Sequence, residues 1–170
     1  MKFQRIGQVW IETVLYTIIG LALIGLVLSF VMPKINQSKD NLVVSQSIDT
    51  MKQLDSSINE VVQQQGDIKK ININVGRGYL YINASSGDIS LVINDLTSLY
   101  SESNVTLVDG NLQILSMKGQ KTDSVYLTLN YPYNITYNGK NTENKITAAP
   151  IPYSFYIENK GNNQIDISSV

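Results

Sequence analysis

VLYTIIGLALIGLVLSFVM, residues 14–32, is an apolar run that no charged side chain interrupts. As a helix rising roughly 1.5 Å per residue, the segment 9–32 is about 36 Å long. That length crosses a hydrocarbon layer of about 30 Å with some tilt. Trp10 and Tyr16 lie toward its N-terminal end, where interfacial aromatics gather, and Lys34 and Lys39 follow its other end. This run decides the fold, because it makes the rest of the chain either a leader before a membrane helix or a domain carried behind one.

Seven residues, MKFQRIG, precede the helix, with Lys2 and Arg5 as leader charges and Gly7 as the last residue. QVWIE follows and places one acid, Glu12, at the edge of the apolar segment. A carboxylate at mid-bilayer costs about 2.5–3.5 kcal/mol on insertion scales, and less near the interface. Retaining one there points to a function for it. A cleaved secretory signal fits poorly, since its apolar core is short and ends in a small-x-small site. FVMP, residues 30–33, offers no such site. A plain signal anchor and a class III signal, cut on the cytoplasmic side of the apolar run, both remain. The second needs a short basic leader, a glycine before the cut and an acid five residues beyond it. Gly7 and Glu12 stand in that relation.

In these features the chain resembles the type IV pilin superfamily, its archaeal members more than its bacterial ones. The resemblance covers roughly residues 5–32. It implies cleavage by a prepilin peptidase between Gly7 and Gln8. It also implies that Glu12 neutralises the amino terminus of a neighbouring subunit during assembly. An assembly ATPase and a membrane platform come as partners with the same resemblance. Gln8 stands where bacterial members often have phenylalanine, and Pro33 lies further along than the proline of bacterial stems. Gly20, Gly25 and Ser29 are small residues within the span, and the last two have the small-xxx-small spacing that lets helices approach closely.

Beyond Met32 the polarity changes while the helical period persists. Val44, Ile48, Met51, Leu54, Ile58 and Val61 recur every three or four residues and form one apolar stripe, widened by Val43 and Val62. Gly66 is the expected stop. Pro33 is expected to kink the helix or to start a new one. The stripe is suited to carrying a C-terminal domain.

From Lys69 the period shifts toward two. Ile71, Ile73 and Val75 alternate with polar residues, and Gly76-Arg77-Gly78 predicts a turn before YLYINAS. Strands are expected in ISLVIN, on both sides of Asp109-Gly110, in VYLTLNY, around Asn138-Gly139, and in YSFYIEN and QIDIS. The two Gly-containing pairs predict tight hairpins. One helical turn is expected within 94–103, and Pro150 and Pro152 predict a break or an edge segment. The fold class is therefore α+β: a long N-terminal helix, membrane span plus amphipathic stem, then an antiparallel β-sandwich or barrel-like head of about eight strands. Its parts are a basic leader (1–7), a transmembrane or filament-core helix (8–33), a helical stem (34–66) and an extracellular β-rich head (67–170).

The 170 residues carry 13 basic and 14 acidic side chains and neither histidine nor cysteine. That balance offers nothing to nucleic acid. Histidine- and cysteine-based nucleophile systems, thiolate or imidazole metal sites and disulfides are excluded. The remaining Asp, Glu, Lys, Tyr and Ser form no recognisable catalytic pattern, so no enzyme, cofactor or metal is expected. Asp88, Asp95, Asp109 and Asp123 read as turn residues, without calcium-loop spacing. Sequons at Asn83, Asn104 and Asn134 are candidate N-glycosylation sites; a fourth, at Asn36, lies close to the membrane segment. The tyrosines after residue 78 suit β-strands, and with Asn, Ser and Thr they also suit a contact surface for a subunit or a glycan. The expected function is a structural subunit of a type IV pilus-like surface filament, a homo-oligomer built through N-terminal helices. Major pilin, minor pilin, archaellin and secretion pseudopilin share these features. The alternative is a single-pass anchored surface protein whose β-domain binds a ligand and does not polymerise.

Overall fold

A computed structural model describes residues 3–169, with side chains from residue 9 onward. One helix, α1 (Phe3–Val62), precedes ten strands. The chain forms two compact units, Met1–Ser38 and Lys39–Val170. Pro33 lies inside α1 without ending it.

In the second unit, the helical residues from Lys39 onward carry the apolar stripe. Val44, Met51, Leu54, Ile58 and Val61 are at most 2% exposed, and Ile48 is buried with them. Each such side chain contributes about 1.5–3 kcal/mol by leaving water. The stripe therefore binds this part of α1 to the domain far more strongly than helix propensity does.

The strands are β1 (Ile68–Ile73), β2 (Tyr79–Asn83), β3 (Asp88–Leu96), β4 (Thr106–Asp109), β5 (Leu112–Met117), β6 (Asp123–Asn130), β7 (Asn134–Tyr137), β8 (Glu143–Thr147), β9 (Tyr153–Gly161) and β10 (Gln164–Ser169). They make a four-stranded sheet, ordered β1-β9-β10-β7, and a six-stranded sheet, ordered β4-β5-β6-β3-β2-β8. Register places apolar partners in rows. Leu80, Leu91, Leu127 and Ile114 face one another across four strands, as do Ile82, Ile89, Leu129 and Leu112. These rows, the helix stripe, and Ile71, Phe155, Ile157 and Ile167 of the smaller sheet form one core. The head is sandwich-like and the class is α+β, as the periodicity predicts.

Five local expectations change. Among the described residues there are ten strands rather than about eight; β8 escapes notice because it is a polar edge strand with alternating half-exposed positions. The pairing is not wholly antiparallel, since β7 and β10 run parallel. Asn138 and Gly139 do form a tight turn, with φ of 51° and 70°. The hairpin it closes is one pair long: Tyr137 and Lys140 exchange backbone hydrogen bonds at 2.9 and 3.0 Å as a single antiparallel bridge, and the turn is also fastened to β10. Asp166 accepts from the Gly139 amide at 2.8 Å and from the Thr136 hydroxyl at 2.6 Å, and the Asn138 amide donates to the Ile167 carbonyl at 2.9 Å. The chain then leaves for the larger sheet, where β8 pairs with β2. The β4–β5 hairpin turns at Gly110-Asn111, one residue later than read, with Gly110 at φ 65°. The flanking side chains set that register: Asp109 pairs with Lys52 at 2.6 Å, and the Asn111 amide donates to Asp55 at 3.0 Å. Residues 94–103 hold no helical turn; β3 runs to Leu96 through an irregularity at Asp95, whose φ is 58°.

The helix ends at Val62, before Gly66, through a side chain distant in sequence. The Asn159 amide donates to the carbonyls of Val61, Val62 and Gln64 at 3.1–3.2 Å. These are among the carbonyls that a helix C-terminus leaves without partners. At the other end of the stem, Asp40 is 4% exposed. It accepts from the Thr97 amide, the Thr97 hydroxyl and Arg77, each at 2.6 Å. Burial pushes its carboxyl pKa up, but the two Thr97 bonds and the Arg77 guanidinium outweigh that and hold it below its ordinary 3.8. A lowered carboxyl pKa adds stability above the unfolded value and loses it as pH falls. Wild-type head stability is thus expected to decline from about pH 4 downward, and Asp40→Asn to flatten that decline. Denaturant melts at neutral pH should show the variant weaker by about 1–3 kcal/mol.

Candidate functional site

The functional surface that chemistry singles out is the helix of the first unit. Among the described residues, one helix is long and apolar enough to cross a membrane. Its large apolar side chains are exposed all round in the isolated chain, from Tyr16 at 71% to Val14 at 37%. The hydroxyls of Thr13, Thr17 and Ser29 are absorbed by the helix's own backbone. Thr13 donates to the Val9 carbonyl at 2.9 Å, Thr17 to Thr13 at 2.8 Å and Ser29 to Leu26 at 2.7 Å. In an apolar environment each hydroxyl needs such a partner, so the helix brings no unmet polar group from these residues.

Gly20 and Gly25 carry no side chain and are therefore notches in this surface, and nothing in the chain packs over them, since a Cβ at either would meet nothing within 4 Å. They leave room for another helix to come close, and Ser29 lies one turn beyond Gly25 with its hydroxyl folded back. Glu12 stands exposed on the same helix. Gly7, Gln8 and Arg5 fall within the span of α1, but the described side chains begin after them, and Lys2 lies outside the described residues.

The candidate glycan acceptors differ in setting. Asn104 and Asn134 are exposed, the first at a left-handed φ of 62° and the second at the start of β7. Asn83 ends β2 half-buried, its side-chain oxygen accepting from the Ser85 amide at 3.2 Å. Asn36 lies in α1. Among the described residues, no group of three or more acidic side chains is placed to hold a metal ion.

Two polar groupings in the head were not anticipated from the sequence. Asp40 with Thr97 and Arg77 is one; its only signal is an acid four residues before Val44, on the line of the stripe. The second joins Asp55 to Asn111 and to the Tyr131 hydroxyl, which donates to it at 2.8 Å. Burial and this carboxylate together push the Tyr131 pKa strongly upward, so the phenol stays a donor. Both groupings tie the helix to strands and loops, and neither forms an open reactive site. No protein-family model, curated protein or solved structure matches the chain.

Proposed function

We propose that this chain is the structural subunit of a type IV pilus-like cell-surface filament. It is made as a single-pass membrane protein, with the leader cytoplasmic and the C-terminal domain extracellular. A prepilin peptidase cuts between Gly7 and Gln8. The helices then pass from lipid into a common filament core, driven by an assembly ATPase on a membrane platform. The observation that carries this reading is the helix surface itself, apolar on every side and exposed from Val9 to Met32 in the single chain. Such a surface requires lipid or other helices around it. The notches at Gly20 and Gly25 favour helices as the final neighbours. Within the head unit, Leu42 is another apolar side chain of α1 left 58% exposed.

Glu12 has a specific role in this reading. Cleavage frees the α-amino group of Gln8, and the carboxylate of a neighbouring subunit pairs with it in the apolar core. An ion pair there is far less costly than either charge alone. N-terminal sequencing of the mature protein from cells with an active peptidase is expected to begin at Gln8. An intact Met1 in those cells would overturn the filament reading and leave a single-pass anchored surface protein.

A further inference from the structure

A pocket of about 250 Å³ lies in the head, where the end of α1, the segment after β6 and the β9–β10 turn meet. Amides dominate its lining: Gln65, Asn159, Asn162, Asn163 and Gln164, with Tyr133 beside them. Val62 is half-buried there and supplies apolar surface, over Ile165 of the core. None of the described lining residues is charged. From this set we infer that the pocket binds an uncharged pyranose unit of a glycan.

The chemistry follows from what each group still offers. Asn159, at the buried base, is committed to the helix carbonyls and to the Gly161 amide, which donates to it at 2.9 Å. Asn163 donates its amide to the Pro132 carbonyl at 3.0 Å, and Gln164 donates to the Thr136 hydroxyl at 3.3 Å. Those bonds fix both side chains and leave their oxygens as acceptors. Gln65 and Asn162 are exposed at the rim, and each adds a donor and an acceptor. A sugar ring presents hydroxyls that both donate and accept, together with a C–H face. Amides match the hydroxyls, while Tyr133 and Val62 match the face. A phosphate or carboxylate would find no cation in the lining. Fixing part of the rim in advance reduces the ordering cost of binding. The volume is at the small end for ligand pockets and suits one ring rather than a chain of them.

This inference goes beyond the filament reading and does not depend on leader cleavage or assembly. The test uses the full chain in zwitterionic, sugar-free micelles and saturation-transfer NMR. The probes are the methyl glycosides of glucose, galactose, mannose and N-acetylglucosamine, with glucuronate as the anionic control. At least one neutral glycoside is expected to bind saturably in the millimolar range. Gln65→Ala and Asn162→Ala are each expected to weaken it about fivefold, the loss of one good hydrogen-bonding side chain. Because both residues are exposed, the unfolding midpoint should not move. The inference is overturned if no neutral glycoside binds, if binding survives both substitutions unchanged, or if glucuronate alone binds.

Discussion

Glu12→Ala is expected to reduce surface filaments to background while the protein still inserts in the membrane and still loses its leader. The loss comes from uncompensated charge. If the leader is cut after Gly7 as proposed, each subunit would carry an α-ammonium at Gln8, protonated at neutral pH. Drawn from the membrane edge into a bundle of apolar helices, that charge needs a carboxylate. Removing one partner of a buried pair costs about 3–5 kcal/mol. Per added subunit, that is a roughly 100- to 5,000-fold weaker association. Glu12→Gln should behave alike, since it keeps the shape and removes the charge. Quantifying sheared filaments alongside membrane-bound mature protein separates assembly from insertion. Normal filament yield in Glu12→Ala would end the pairing role while leaving the helix-core reading intact.

Met51→Asp is expected to unfold the head. Met51 is 0% exposed and sits mid-stripe between Ile48 and Leu54. The substitution removes an apolar side chain worth about 1.5–3 kcal/mol on burial. It also places a carboxyl with no partner in the core, where neutralisation limits the charge cost but the polar group remains. Together these losses come to at least about 4 kcal/mol, against domain stabilities of about 5–15 kcal/mol. Protease resistance and circular dichroism of the full chain in micelles would record the loss. Helical signal from the membrane segment should remain, because its backbone bonds do not depend on the head. A protease-resistant Met51→Asp head would mean that the stripe is not what holds the domain together.

How legible the chain was depends on how local each determinant is. The six stripe residues from Val44 to Val61 were all readable, because a spacing of three or four positions is a property of neighbours in sequence. The same holds for most strands, whose alternation survives in the buried rows of the head. What escaped depends on partners far along the chain. Gly66 looks like the helix stop, yet the amide of Asn159 caps the helix four residues earlier. Asn138-Gly139 carries the signature of a hairpin and closes one of a single bridge, Tyr137 to Lys140, but the hold of Asp166 on that turn comes from far along the chain. Asp40 reads as one more polar residue between span and stem, although Thr97 and Arg77 make it an anchor of the helix. The amide-lined pocket was invisible for the same reason, being assembled from residues 62 to 165. Gly20, Gly25 and Glu12 were legible as candidates, since a small or charged residue stands out against an apolar run.

In the proposed filament the exposed helix becomes the core and the heads lie outside. Immunogold labelling of the head on intact cells, imaged by electron microscopy, addresses it most directly. Gold particles are expected along filaments that extend from the cell surface, and are expected to be absent when Gly7 is replaced so that the leader is retained. Label confined to the cell envelope, in cells where the protein is processed to Gln8 and abundant, would contradict it.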